Sequence, residues 1–117
     1  MARLSMHMLD TIRGEGAAGI RVDFSKLEGG SYKLVRTITT NEAGRTAEPL
    51  MTGDAMLTGN FMLEFFHAVY FKARAYPPAP PFFDRVTHFF SIPAKMTAYH
   101  ITMVAAPWGY TTYRWKE

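Results

Sequence analysis

The sequence predicts an all-β fold, a β-sandwich of seven or eight short strands with one short helix. Short runs in which apolar and polar residues alternate recur along the chain, and turn residues such as Gly29-Gly30 and Gly59-Asn60 separate them. Alternation with period two is typical of half-buried strands, and several such strands at regular spacing indicate a sandwich. The 117 residues are predicted to form one domain, residues 1–117, large enough to fold around its own core.

The strand pattern is clearest after Gly19. There Ile20, Val22 and Phe24 alternate with polar residues, so these three apolar side chains should share one face of a strand. The pattern is weakest at the start of the chain, in residues 4–9. The predicted strands cover, in chain order, residues 4–9, 19–27, 32–40, 61–66, 84–92, 97–105 and 109–115.

One segment, residues 67–75, departs from the alternation of a strand and is predicted as the single short helix. Pro77 and Pro78 would stop this helix, because proline lacks the N–H that a helix needs and clashes with the preceding turn. The proline-rich residues 77–81 are therefore predicted as an extended loop.

The composition excludes several classes of function. There are no cysteines, so neither a disulfide nor a thiolate metal site can form. The Lys and Arg residues are scattered, which argues against nucleic-acid binding, and the net charge of +3 mildly favours anionic ligands. The 15% of aromatic residues and the eight Met predict a dense apolar core, an apolar subunit interface, or both.

The sequence predicts no association with a membrane. No run approaches the roughly 20 apolar residues of a membrane helix. Polar residues, among them Ser5, His7 and Asp10, interrupt the N-terminal segment, so no apolar stretch of signal-peptide length follows Arg3. A cytoplasmic location is expected, or a peroxisomal one in a eukaryote.

The strand predicted over residues 97–105 contains an unusual histidine. Period-two alternation places His100, Thr102 and Val104 on one face of this strand, and Tyr99 and Ile101 on the other. A histidine that shares a strand face with small or apolar side chains requires an explanation, which is structural or functional.

Three segments carry a resemblance to a known family: Leu4-Ser5-Met6-His7-Met8-Leu9-Asp10, Thr40-Asn41-Glu42-Ala43-Gly44-Arg45-Thr46, and the C-terminal run from Ala98 through Pro107-Trp108-Gly109 to Arg114. Together they resemble 5-hydroxyisourate hydrolase, the enzyme branch of the transthyretin-like proteins. The resemblance covers nearly the whole chain. It implies an eight-stranded sandwich with one short helix after the fifth strand. It also implies a homotetramer, a dimer of dimers, whose central channel contains the sites.

The resemblance implies three catalytic residues. In the hydrolases the active site is formed by a histidine of the first strand motif, an arginine of a Gly-Arg-Thr turn and a histidine of a Tyr-His pair, and these positions match His7, Arg45 and His100 here. The hormone-carrying branch of the family holds residues of different chemistry at the three positions. Their presence in this chain therefore favours an enzyme over a carrier.

The resemblance also implies substrate-binding residues in the last strand. Period-two alternation places Thr111 and Tyr113 on one face of their strand, and the resemblance implies that this face shares the central channel with His100. Arg114, which follows Tyr113 as in the family, is expected to be a further substrate contact.

The implied chemistry suits these residue types. Opening the ring of 5-hydroxyisourate requires addition of water to a ring carbonyl and expulsion of a ring nitrogen. Histidine supplies a base near neutral pH, and arginine supplies a permanent positive charge for a largely anionic substrate. We expect His7 to activate the water, His100 to orient the substrate or relay a proton, and Arg45 to hold the substrate, although the sequence does not settle which histidine is the base.

No cofactor and no metal are expected, because the chain lacks HExxH-type spacing and any clear third ligand for a zinc ion. The other two histidines, His67 and His88, have no partner that the sequence identifies. Each is expected to be a structural residue that is solvated or hydrogen-bonded.

Two alternatives remain open. The hydrolases usually finish with Tyr-Arg-Gly-Ser, whereas here Tyr113 and Arg114 are followed by Trp115 and Lys116. This difference favours a second candidate, a transthyretin-like protein with a disabled or altered active site. Such a protein would bind an aromatic anion or a hormone-type molecule. A sandwich without any ligand is the third, and it would leave His7, Arg45 and His100 without a role.

Overall fold

The structure, a computed structural model, describes residues 2–74, 82–94 and 97–115, with only the backbone of residue 115. Strands make up most of this part of the chain, together with one α-helix and one short 3-10 turn. The elements in chain order are β1 (Arg3–Asp10), β2 (Glu15–Gly16), β3 (Arg21–Glu28), β4 (Ser31–Thr39), β5 (Met51–Thr52), the 3-10 turn (Gly53–Ala55), β6 (Gly59–Phe65), α1 (His67–Ala73), β7 (Val86–Ile92), β8 (Ala98–Ala106) and β9 (Gly109–Trp115).

The strands form two sheets. Sheet A has the order β2-β1-β8-β9, and β5 pairs with the beginning of β1. Sheet B has the order β4-β3-β6-β7. Every described pairing is antiparallel except that of β1 with β8, which run side by side in parallel in the middle of sheet A. The chain's first strand therefore lies beside a strand from its last quarter.

Alternation along each central strand produces the core between the sheets. In β1, Leu4, Met6 and Met8 are buried, while Ser5 and His7 are only partly covered, as period-two geometry requires. Sheet B contributes large aromatic side chains to the same core, all of them fully buried: Phe24, Phe61 and Phe65. Burial of a side chain of this size contributes about 1.5 to 3 kcal/mol to folding.

Helix α1 packs against this core through one stripe of its surface. His67, Ala68, Tyr70 and Phe71 are its buried residues, which is the spacing of an amphipathic helix. The helix ends at Ala73, two residues before the end that the sequence predicted. The predicted proline-rich loop, residues 77–81, lies outside the described residues.

The architecture confirms the predicted all-β sandwich with one short helix, and the predicted strands all have counterparts. The sequence missed β2 and β5, because two-residue strands are too short to display alternation. Strand β2 pairs with the end of β1. No helix of the described residues is long and apolar enough to cross a membrane.

Candidate active site

The candidate site is built on the face of sheet A that points away from the core, here called the outer face. The parallel register of β1 and β8 pairs Ser5 with His100 and His7 with Thr102. Side chains opposite each other in paired strands lie on the same side of the sheet. The outer face therefore presents four polar side chains side by side, two of them imidazoles.

His7 is half-buried on this face and has one defined hydrogen bond. Its Nε2 lies 2.7 Å from the carbonyl oxygen of Ala43. Because a carbonyl oxygen can only accept, the Nε2–H group of His7 must donate. In the neutral ring the lone pair then resides on Nδ1, so Nδ1 is the nitrogen of His7 that can take up a proton.

The turn after β4 supplies that carbonyl and is held together by Asn41. The side-chain oxygen of Asn41 accepts from the backbone N–H groups of Ala43 (3.0 Å) and Arg45 (3.1 Å). The backbone of Asn41 adds a bond from its N–H to the carbonyl of Arg45, at 2.8 Å. Such Asx bonding fixes a compact turn at low entropic cost.

Gly44 clamps the same turn onto β1. It has a φ of 78°, which favours glycine, and its carbonyl accepts from the N–H of Met8 at 2.8 Å. A Cβ at this position would lie only 2.1 Å from the carbonyl oxygen of Met8. No other residue fits here without a shift of the turn, so the glycine determines how closely the turn approaches β1.

Arg45 follows directly and pairs with His7 through an isolated antiparallel bridge. Paired residues share a face, so the exposed Arg45 side chain starts from the same side of the sheet as the His7 ring. The structure thus brings together a permanent cation and a histidine from segments 38 residues apart.

His100 lies on β8 and is only 7% exposed. Its Nδ1 is 2.7 Å from Oγ of Ser5, the residue opposite it in β1. The rings of His7 and His100 are separated by 6.5 Å between centroids and tilted by 46°. The two imidazoles therefore flank one small area of the outer face, with Arg45 at its border.

Strand β9 adds two further side chains to this face. Its register pairs Tyr113 with Thr102 and Thr111 with Val104, so Thr111 and Tyr113 lie on the same face as His100, and both are exposed. Arg114, in contrast, lies on the other face of β9.

The position of Arg114 differs from the expectation of a substrate contact. Arg114 pairs with Ile101, whose side chain points into the core, and its guanidinium carbon lies 4.3 Å from the centroid of the Tyr99 ring. Stacking on an aromatic face accounts for this orientation. The structure does not bring Arg114 to the two histidines.

The other histidines lie elsewhere. His67 opens α1, fully buried against the rings of Phe71 and Tyr110, and neither of its ring nitrogens has a hydrogen-bond partner among the described residues. The expectation that His67 is solvated or hydrogen-bonded is wrong. Burial lowers the pKa of His67 to about 4, because the apolar surroundings disfavour the charged ring. His88 is half-buried beside Phe90, and burial lowers its pKa as well.

Sequence reasoning missed Ser5 and the Ala43 carbonyl as parts of the site. Period-two alternation places Ser5 on the face of His7, which is the signal that could have identified it. The Ala43 carbonyl had no signal, because any residue supplies one. In the described part of the chain, no group of three or more His, Asp or Glu side chains is arranged to hold a metal ion.

Comparison with known proteins gives consistent matches. A model described as "HIUase/Transthyretin family" matches residues 4–115. 5-Hydroxyisourate hydrolase 2 of Rhizobium meliloti is 39% identical over 113 residues, which are 96% of this chain and 94% of that protein. 5-Hydroxyisourate hydrolase of Deinococcus radiodurans is 40% identical over 111 residues, 95% of this chain and 93% of that protein. The solved structure of Klebsiella pneumoniae 5-hydroxyisourate hydrolase has a TM-score of 0.79 and 28% identity, covering 99% of this chain and 94% of that one.

Proposed function

The chain belongs to the HIUase/Transthyretin family, and we propose that it hydrolyses 5-hydroxyisourate to 2-oxo-4-hydroxy-4-carboxy-5-ureidoimidazoline in urate breakdown. It is a hydrolase that acts on a cyclic amide C–N bond. The observation that carries the proposal is the meeting of His7, Arg45 and His100 on one small area of the outer face, in a chain whose full-length relatives are hydrolases of this name. The single transthyretin-like domain is taken to span residues 1–117.

His7 is the proposed base. Its Nε2–H donates to Ala43, so its Nδ1 carries the lone pair that removes a proton from water as the oxygen attacks the ring carbonyl. The bond to a backbone carbonyl also fixes the orientation of the ring. The hydrogen bond supports His7 as the base because it occupies Nε2 and leaves Nδ1 available to take up the proton.

Arg45 is the proposed substrate clamp. The substrate is largely anionic, and negative charge grows on the carbonyl oxygen as water adds to it. A guanidinium stays charged throughout and binds planar oxyanions through paired N–H donors. Its backbone pairing with His7 supports this role, since it anchors the cation beside the base.

His100 is proposed to orient the departing nitrogen and to assist its protonation. Attack by hydroxide forms a C–O bond, and collapse of the adduct breaks the ring C–N bond, which releases a nitrogen that needs a proton. That proton is the one that His7 took from the water, and Nε2–H of His100 holds the departing nitrogen in place by a hydrogen bond, so both rings end the reaction neutral. Water is thereby added across the C–N bond without any co-reactant.

Thr111 and Tyr113 are proposed contacts along the edge of the substrate, supported by their position on the face of His100. The stack of Arg114 on Tyr99 gives that residue no support as a substrate contact in one protomer.

A homotetramer built as a dimer of dimers is proposed as the assembly, and the cytoplasm as the location. Exposed aromatic side chains support an interface: Trp108, in the β8–β9 connection, is 60% exposed, and Tyr113, on the outer face of β9, is 44% exposed. Exposed aromatic residues are typical of subunit interfaces.

The activity is tested with 5-hydroxyisourate made fresh by urate oxidase, whose decay is followed with and without the protein. We expect fast decay with the wild type and decay at the spontaneous rate with His100→Asn. Wild-type decay no faster than buffer would refute the hydrolase.

A transthyretin-like binding protein is the second candidate, favoured by Trp115 and Lys116, which follow Arg114 where the hydrolases usually have Gly-Ser. In the β8–β9 register Trp115 pairs with His100, so this difference from the hydrolases lies next to the site. Saturable binding of an aromatic anion, without any hydrolysis, would select this candidate.

A further inference from the structure

Ser5 contributes a hydroxyl to the outer face, and this hydroxyl forms a hydrogen bond with the ring of His100. This hydrogen bond joins its Oγ to Nδ1 of His100 over 2.7 Å and connects residues 95 positions apart. The bond depends on the parallel register of β1 and β8, which puts the two residues directly opposite each other. A rigid pair of central strands therefore holds both partners.

The surroundings strengthen this hydrogen bond. His100 is 7% exposed and Ser5 is half-buried, so water competes little for either group. Hydrogen bonds in such places have greater electrostatic strength than those in water, and loss of a partner leaves a buried polar group unsatisfied.

The bond decides what the other nitrogen of the ring can do. When a hydroxyl donates to Nδ1, the neutral imidazole carries its proton on Nε2. His7 has the opposite arrangement, because its Nε2–H donates to Ala43 and Nδ1 holds the lone pair. With the Ser5 hydroxyl as the donor, the outer face has one hydrogen-bond acceptor, Nδ1 of His7, and one hydrogen-bond donor, Nε2–H of His100.

We propose that Ser5 is a positioning residue for the reaction: its hydroxyl donates to Nδ1 of His100, which holds the ring in the tautomer that carries the proton on Nε2 and directs that proton to the leaving nitrogen. This inference rests on the proposed hydrolase function. For histidines that bind a metal, removal of such an orienting partner typically lowers affinity or activity roughly tenfold to a hundredfold, and we expect a loss of the same order here.

The kinetic test compares Ser5→Ala with Ser5→Thr. Ser5→Ala is expected to lower kcat by roughly tenfold to a hundredfold with KM unchanged, because Ser5 touches His100 and not the substrate. Ser5→Thr keeps a hydroxyl on the same strand face and is expected to recover most of kcat. Ser91→Ala is the matched control, since Ser91 donates to Asn60 on sheet B and should leave kcat at the wild-type value.

A spectroscopic test is independent of turnover. With 15N-labelled histidine, at a pH above the ordinary histidine pKa of about 6.5, the ring nitrogen shifts report the tautomer. The signals of His100 are identified by their loss in His100→Asn. We expect protonated Nε2 in the wild type and in Ser5→Thr, and a mixture of tautomers in Ser5→Ala.

The outcomes separate the two proposals. A wild-type ring protonated at Nδ1, a tautomer unchanged in Ser5→Ala, or a kcat unchanged in Ser5→Ala would each overturn the role of Ser5 in an active enzyme. A wild type without hydrolysis would refute the proposed function, whereas the NMR spectra would still decide whether Ser5 sets the tautomer.

Discussion

His100 and His67 are both almost sealed from water, at 7% and 0% exposure, yet their surroundings differ. His100 has its Nδ1 bound to Ser5 and lies beside a second imidazole on the outer face of sheet A. His67 is surrounded by aromatic rings, and its nitrogens have no hydrogen-bond partner among the described residues.

The difference indicates which histidine is suited to chemistry. A ring that exchanges protons needs a partner that fixes its tautomer and a neighbour that shares the reaction. A ring without a partner in an apolar site stays neutral and acts as a polar residue in a core position, at a cost in stability. Burial alone does not distinguish the two roles, so the partners decide.

The largest expected effect is the difference in activity between a variant of an outer-face histidine and a variant of His67. His7→Ala should lower kcat/KM by roughly a hundredfold to ten-thousandfold, the usual contribution of a general base. His67→Leu, which removes the buried polar group and keeps a similar volume, should leave kcat/KM unchanged. Rates of 5-hydroxyisourate decay measure both variants, and an inactive His67→Leu that is still folded would break the comparison.

A second prediction concerns Gly44, which lies in the turn that carries Ala43 and Arg45 to the outer face. Gly44→Ala introduces both a disfavoured φ of 78° and a contact of 2.1 Å with the Met8 carbonyl oxygen, and should lower the free energy of unfolding by roughly 3 to 5 kcal/mol. Activity should fall as well, because the turn moves.

Gly14→Ala is the control for this change. Gly14 has a φ of 70° but nothing within 4 Å of an added Cβ, so only the conformational cost of about 1 to 2 kcal/mol is expected. Urea denaturation of both variants gives the two values. Equal losses of unfolding free energy in Gly44→Ala and Gly14→Ala would show that the close approach of the turn to β1 does not affect stability.

His67 should make the fold sensitive to acid. Its pKa is about 4 in the folded protein and 6.5 when unfolded, so the unfolded chain binds an extra proton between these values. The contribution of a neutral His67 is complete above pH 6.5 and declines as the pH falls towards 4, by about 3 kcal/mol in total. Below that range the loss is constant.

Unfolding free energies at several pH values test this expectation in the wild type and in His67→Leu. The variant should lose less stability than the wild type between pH 6.5 and 4. Identical pH dependence in the two proteins would mean that His67 is not held neutral by its surroundings.

The smallest expected effect concerns the pH profile of activity. A neutral histidine base predicts that kcat/KM falls as the pH drops through roughly 6 to 7, the ordinary histidine range. His67→Leu should show the same profile, since His67 takes no part in the reaction. A wild-type profile that stays flat down to about pH 5 would argue against histidine base catalysis.

Much of the outer face was readable from the sequence. Period-two alternation separates His7 from Met6 and Met8, and His100 from Tyr99, because strand geometry fixes which side each residue faces. The same alternation predicts that Arg114 and Tyr113 lie on opposite faces of their strand, and the structure agrees.

The rest depends on contacts between distant segments. The hydrogen bond from Ser5 to His100 requires a parallel register between β1 and β8, and no pattern within either strand states that register. His67 likewise lacks hydrogen-bond partners among the described residues because its ring packs against Phe71 of the same helix and Tyr110 of β9, and sequence periodicity does not specify the second of these contacts.

A double-mutant cycle with His7→Ala and His100→Asn tests the central claim most directly, namely that the two outer-face histidines act on one substrate as a unit. Residues that act as a unit show losses that do not multiply. We predict that the double variant loses no more kcat/KM than the worse single variant. Losses that multiply, each histidine contributing independently, would contradict the shared site on the outer face of sheet A.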